Sequence, residues 1–280
     1  MSCRNRARGL QISQAAALGA LHGPAELLPI SSSGHISLVP WLLGWRYAEL
    51  DDGLRKSFEV ALHAGTAGAL LIALHGEVGE VVRRLDRHGL SVIALSSIPP
   101  AIVGYALERP IEQRLGTPAT TAAGLLVGAA VIAWADRAPQ TRRHEHAGAR
   151  DAIWLGIAQA CALIPGVSRN GATLAAARLR GFAREDASRL SRHVGLPVIA
   201  GATLLKGARL RARGLPPGTA APFAVGAAAA FASTLGSTWL IRQVERRDRT
   251  LLPYAIYRAV VAAVVLVRLA RSGASRTINR

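Results

Sequence analysis

Cysteine is nearly absent from this sequence. The 280 residues contain Cys3 and Cys161, too few and too far apart for a disulfide framework or a thiolate metal cluster, so both read as free thiols. Charge is sparse too: 18% of residues are charged, against about a quarter in soluble domains. Lysine is almost missing. Lys56 and Lys206 are the two, and Arg supplies the rest of a net charge of +17. With the abundant Ala and Gly, the Arg excess reads as the coding bias of a GC-rich genome. A soluble basic domain is lacking as well. The positive charges flank apolar blocks, which fits loops lying against anionic lipid headgroups and argues against a nucleic-acid partner.

What is present is apolar sequence in blocks. Half the residues are hydrophobic, and six blocks, about 57–75, 91–108, 119–135, 190–206, 220–241 and 252–270, approach the roughly 20 residues a membrane-crossing helix needs. The pattern predicts an all-α polytopic integral membrane protein over a soluble α/β domain with buried strands. The N-terminus, MSCRNRARGLQISQAAALGA, mimics a secretory signal, with a basic start and a short apolar run. It is expected to stay uncleaved, because the run continues without a break.

Two further regions are apolar but interrupted: 10–44 at LLPISSSGH and 152–181 at LIPGVSRNGAT. Each half is too short to span, and Pro, Gly and Ser end one helix and start another. Each region is therefore expected to be a re-entrant pair of half-helices, tolerated at depth where it lines a polar cavity. The two also resemble each other. At a shift of 137, Leu18, Gly19, Ser31 and Gly34 meet Leu155, Gly156, Ser168 and Gly171. The single membrane domain, 1–280, thus divides into halves 1–140 and 150–280, each a re-entrant pair followed by three spans. Three is odd, so the halves form an inverted-topology repeat whose broken tips meet near the midplane. Loops 76–90, 136–150 and 242–250 share one side and are Arg-rich, which favours the cytoplasm. Lys206, Arg209, Arg211 and Arg213 fall on the other side, so charge alone leaves the orientation open.

The tips carry the chemistry. In PGVSRNGAT, Ser168 and Asn170 can cap the second half-helix, whose free N–H groups make an anion site, and Arg169 adds a forked cation. An unpaired Arg inside a membrane is costly, so its partner is an acid or a ligand such as phosphate. Snorkelling to a headgroup is the bland alternative, but Arg169 sits between Pro-Gly and Gly. In the first tip, Glu26 is an intramembrane acid. Ser31, Ser32 and Ser33 offer hydroxyls, and His35 can act as acid, base or nucleophile. Helix capping alone would explain any one of these serines, yet not Glu26, His35 and Arg169 together. The set suits hydrolysis of a phosphate or diphosphate on a lipid.

ELLPISSSGH and PGVSRNGAT closely resemble the two signature motifs of the bacterial undecaprenyl-diphosphate phosphatases, the bacitracin-resistance protein family. SFEVALHAGT, IPPAIVG, VGLPVIAGA, FAVG and PYAIYRAVVAA extend the resemblance along nearly the whole chain. It implies a multi-pass enzyme of the inner membrane. That enzyme removes the terminal phosphate of undecaprenyl diphosphate, recycling the carrier lipid for peptidoglycan, with a site open to the outer side and a divalent cation, Mg²⁺ or Ca²⁺. Carried over by position, Glu26 is a metal or water-activating group, and Ser32 and His35 are nucleophile and base in unassigned order. Ser168, Arg169 and Thr173 bind phosphate, with Arg169 offsetting charge on the transferred group. A homodimer stays open.

The chain departs from the family at the first acidic position of the first motif, where His22 stands in place of Glu or Gln. His22 and Glu26 are four apart and share a helix face. His22 keeps a metal ligand but removes a negative charge, which weakens a hard Mg²⁺ site. His63 falls where the family often has Gln, and Arg192 and His193 fall where relatives are apolar. These changes imply altered metal use or substrate. Two alternatives to the phosphatase are a non-catalytic polyprenyl-phosphate carrier or flippase, and a divergent phosphatase for another lipid diphosphate. The type-2 phosphatidic-acid phosphatases are discounted because their Lys-led Arg-Pro motif is missing.

Overall fold

The computed structural model describes residues 10–76, 79, 86–215, 217–245 and 250–278. The basic start of the N-terminal segment and the Arg-rich residues 81–85 and 246–249 lie outside the described residues. Ten α-helices appear among those described: α1 (Ile12–Leu27), α2 (Ser32–Leu43), α3 (Asp52–Ala73), α4 (Arg87–Leu115), α5 (Pro118–Ala135), α6 (Ala149–Cys161), α7 (Arg169–Leu179), α8 (Arg184–Arg213), α9 (Ala220–Glu245) and α10 (Leu252–Ile278). No strand occurs among the described residues; one isolated bridge joins Arg142 to Phe182. The chain is an all-α polytopic membrane protein.

Local chemistry sets the boundaries. Ser31 caps α2 and Ser168 caps α7, each side chain accepting the N–H three residues on. Asp51 accepts from Gly53 and Leu54 to start α3, Asp86 accepts from Gly89 to start α4, and Thr117 forms a reciprocal cap with Thr120 ahead of Pro118 in α5. These oxygens satisfy N–H groups that have no partner within the helix. Gly44 closes α2 in the left-handed conformation, which glycine adopts without a Cβ penalty.

The helix order repeats: a short pair, then three long helices, twice. The packing repeats with partners exchanged. α1 lies along α9, while α6 lies along α4; α5 pairs with α10 and α3 with α8. Small residues allow the close approaches. A Cβ on Gly19 would lie 2.3 Å from the Gly226 carbonyl oxygen, and one on Gly23 would lie 2.5 Å from the Thr234 nitrogen. Gly19 and Gly23 are one turn apart, the small-residue spacing that brings membrane helices into backbone contact.

The connections gather at two ends. Leu10, Tyr47, Phe58 and Phe223 share an apolar cluster with Leu54 and Leu210. This joins the start of α1, the α2–α3 turn, the end of α8 and the start of α9. At the other end, Arg142 pairs with Asp151, Arg180 also reaches Asp151, and Arg184 pairs with Asp136. Burial pushes the Asp151 carboxyl up, but Arg142, the Gly148 N–H and Arg180 outweigh it and hold it at about 2.

Large apolar side chains face outward, including Ile102, Val127, Leu204, Val260 and Val264, as a lipid-facing surface requires. Four described helices are long and apolar enough to cross a membrane: Arg87–Leu107, Pro118–Ala135, Ala220–Trp239 and Leu252–Ser272. The expected blocks 57–75 and 190–206 are helical, as α3 and α8, but fall short on composition. α3 carries Glu59 and His63, and α8 carries Arg189, Arg192 and His193, which lower their mean hydropathy.

Candidate active site

The two interrupted regions meet. α1 ends at Leu27 and turns through Pro29 and Ile30 into α2. Ser31, the one non-glycine residue with positive φ (77°) among those described, holds this turn in a sparsely populated conformation of the kind found at functional sites. α6 ends at Cys161 and turns through Gly166 into α7. Arg258 on α10 joins the turns, donating to the Pro29 carbonyl at 3.1 Å, the Gly166 carbonyl at 3.0 Å and the Leu125 and Gly124 carbonyls at 3.3 Å. Its side chain is 1% exposed. Buried carbonyls at two broken helix ends need donors, and one guanidinium serves both.

Glu26, at the end of α1, is the centre of the contact. Its Oε1 accepts from Arg169 Nη2 at 3.0 Å, and its Oε2 accepts from Ser32 Oγ at 2.5 Å. The acid expected as a partner for Arg169 is thus the acid of the other tip. Asn170 donates to the Leu27 carbonyl, and Ser191 on α8 donates to Asn170 Oδ1 at 2.8 Å, which locks the tips side by side. Gly195 makes room for Arg169: a Cβ there would lie 2.0 Å from Nη1.

The remaining expected residues divide by position. Ser31 and Ser168 are buried caps. Asn170 was expected as a cap and instead bridges the tips. Thr173 is fully buried, and because Ser191 gives its proton to Asn170, the Thr173 hydroxyl donates to Ser191 Oγ at 2.5 Å and supports the tip from behind. Ser33 is exposed and stands apart from the bonded set. His35 Nδ1 donates to the Ser31 carbonyl at 2.7 Å, and its Nε2 accepts from the Tyr257 hydroxyl at 2.7 Å. Both ring nitrogens are engaged, and the ring stacks on Tyr257.

His22 is fully buried. It packs edge-on against His63, ring centroids 4.6 Å apart, and His63 Nε2 lies 3.9 Å from Glu26 Oε2. One donor atom from each of His22, Glu26 and His63 lies within 4.8 Å of the others. Mg²⁺ and Ca²⁺ take six or more oxygens. Here two of the three side chains offer imidazole nitrogen and only one offers oxygen. This set does not fit either hard cation.

A cleft opens beside the Glu26–Arg169 pair. Asn170, Ser188, Ser191 and Arg192 contribute polar groups to its lining, and Leu70, Leu74, Leu196 and Ile199 apolar ones. Such a cleft accepts an anionic head with an apolar chain attached.

Sequence reasoning missed Arg258, Tyr257, Thr66 and Ser191. An Arg in an otherwise apolar span was the available signal for Arg258; the other three are ordinary in their helices and become notable only through contacts made by the fold.

The family model described as "Bacitracin resistance protein BacA" matches residues 15–264. A protein of Geobacter sulfurreducens named undecaprenyl-diphosphatase is 38% identical over 275 residues, covering 93% of this chain and 99% of the relative. Proteins of the same name from Pelotomaculum thermopropionicum and Thermomicrobium roseum are 34% and 35% identical, covering 92% of this chain and 97% and 98% of themselves. The matched span takes in both helix breaks, Glu26, Arg169 and Arg258, and the chain belongs to the bacitracin resistance protein BacA family.

Proposed function

We propose that the protein hydrolyses undecaprenyl diphosphate to undecaprenyl phosphate and inorganic phosphate in the bacterial inner membrane, recycling the carrier for envelope synthesis. The observation that carries this reading is the Arg169–Glu26–Ser32 chain, formed across the two tips beside a cleft lined by both polar and apolar side chains.

Arg169 and the unpaired N–H groups at the start of α7 receive the terminal phosphate. Glu26, hydrogen-bonded to Ser32 Oγ, takes the hydroxyl proton as the oxygen attacks phosphorus. The bridging P–O bond breaks, and the lipid monophosphate leaves. Water then attacks the phosphoserine phosphorus, the Ser32 Oγ–P bond breaks, the proton held on Glu26 returns to Oγ, and inorganic phosphate leaves. Arg169 offsets the charge on the equatorial oxygens. In this assignment Ser32 is the nucleophile and Glu26 its base. His35, held at both nitrogens, positions the start of α2. No step is routed through a cation.

The exchanged packing supports an inverted repeat of halves 1–140 and 150–280. The Arg-rich end, with Arg137, Arg142, Arg143 and Arg150, is assigned to the cytoplasm, and the end carrying residues 44–51 to the outer side. Phosphate release from undecaprenyl diphosphate by the purified protein tests the reading. Binding of the lipid without release would favour a carrier.

A further inference from the structure

The hydrogen bonds around His22 and His63 determine which ring nitrogens carry protons. Thr234 Oγ1 donates its one proton to the Ala230 carbonyl at 2.6 Å. The contact between Thr66 and Thr234, 3.2 Å, must therefore use the Thr66 proton. Thr66 is then an acceptor for His22, whose Nδ1 lies 2.9 Å away and must carry hydrogen. The second nitrogen, Nε2, is left as a buried lone pair with no hydrogen-bond partner. His63 follows the same logic more directly. Its Nδ1 lies 2.8 Å from the Glu59 carbonyl, which can only accept, so Nε2 of the neutral ring bears the lone pair. That lone pair faces Glu26 Oε2 at 3.9 Å, beyond hydrogen-bonding reach.

Two imidazoles and a carboxylate thus meet in one cluster, a ligand atom of each within 4.8 Å of the others, and each ring keeps one nitrogen lone pair. We infer that His22, Glu26 and His63 form a binding site for one divalent transition ion of the Zn²⁺ or Co²⁺ type, in preference to Mg²⁺ or Ca²⁺. Two imidazoles with one carboxylate are a donor set suited to these ions, and each ring has its remote nitrogen fixed by an outer partner, the arrangement that orients metal-binding histidines. Ligands on one such ion lie within about 4.2 Å of each other, so donor atoms within 4.8 Å close on it with small side-chain rotations. The inference deepens the reading above, because Glu26 belongs to both, and it is tested without turnover.

The purified full-length protein, stripped with chelator, is titrated with Co²⁺ and followed by its visible absorption. The expected result is a ligand-field band saturating at about one equivalent. Zn²⁺ removes it, and about a 100-fold excess of Mg²⁺ or Ca²⁺ leaves it in place. His63→Gln and His22→Gln each abolish or shift the band, with circular dichroism confirming that the helices persist. His144→Ala, at a second, more exposed His–carboxylate cluster, leaves it unchanged. His63 is half-buried, so its variant is informative even where His22→Gln fails to fold. Absence of a band in the wild type, or a band kept in His63→Gln, overturns the inference. A Co²⁺ band in a protein inactive on lipid diphosphate would keep the metal site and remove the phosphatase reading, whereas activity without a band would do the reverse.

Discussion

Arg169 and Glu26 are 143 positions apart in the chain and form one largely buried ion pair. Removing either leaves its partner buried and uncompensated. Arg169→Ala, Glu26→Ala and Ser32→Ala are each expected to lower phosphate release by about 10³-fold or more, measured with purified, folded protein. Arg169→Lys is expected to rescue little, because an ammonium cannot reproduce the guanidinium fork. His22→Glu adds an oxygen ligand beside Glu26 and is expected to make phosphate release more responsive to Mg²⁺ than in the wild type. A rate indifferent to Mg²⁺ would contradict the donor-set argument. At this scale the sequence was informative where a residue is chemically out of place. Glu26, His35 and Arg169 stand out in apolar surroundings, as does His22 against the family motif. Tyr257 and Thr66 do not, since a Tyr or Thr in a membrane helix is unremarkable until the fold sets it against a histidine.

The half-helices work because neighbouring elements hold their ends. Arg258 from α10 donates to carbonyls of both turns. Arg258→Ala is expected to destabilise the protein by about 3 kcal/mol or more, read as a large fall in melting temperature, with Arg258→Lys intermediate. Gly195 on α8 leaves space for Arg169. Gly195→Ala is expected to displace the guanidinium and reduce turnover by about 10²-fold, with little change in melting temperature. The breaks at Pro29 and Pro165 were legible because Pro, Gly and Ser have local backbone consequences. The identity of α3 and α8 as polar-bearing helices was less so, because hydropathy windows average over the few side chains that matter.

For the whole molecule, the two ends differ in what joins them. One is an apolar cluster around Tyr47 and Phe58; the other is a charged network around Asp151 and Asp136. Asp151 is held below its usual value of 3.8, at about 2. A lowered carboxylate contributes stability that is complete above the unfolded value and lost as pH falls toward the folded one. Asp151→Asn is therefore expected to lower the melting temperature by about 5 °C at pH 7, and the gap should narrow only below about pH 4. Equal melting temperatures at pH 7 would remove the network from the stability account. The repeated helix order was only weakly legible, as a few matched residues at a shift of 137. The exchange of partners between α1–α9 and α6–α4 is a packing property that no local pattern encodes.

The most direct test of the central claim is inorganic phosphate release from undecaprenyl diphosphate by the purified full-length protein, assayed with Zn²⁺, Co²⁺, Mn²⁺, Mg²⁺ and Ca²⁺ and with none. Stoichiometric release of phosphate and undecaprenyl phosphate, lost in Arg169→Ala, is the predicted result. Lipid binding with no phosphate released under any of these conditions would contradict it.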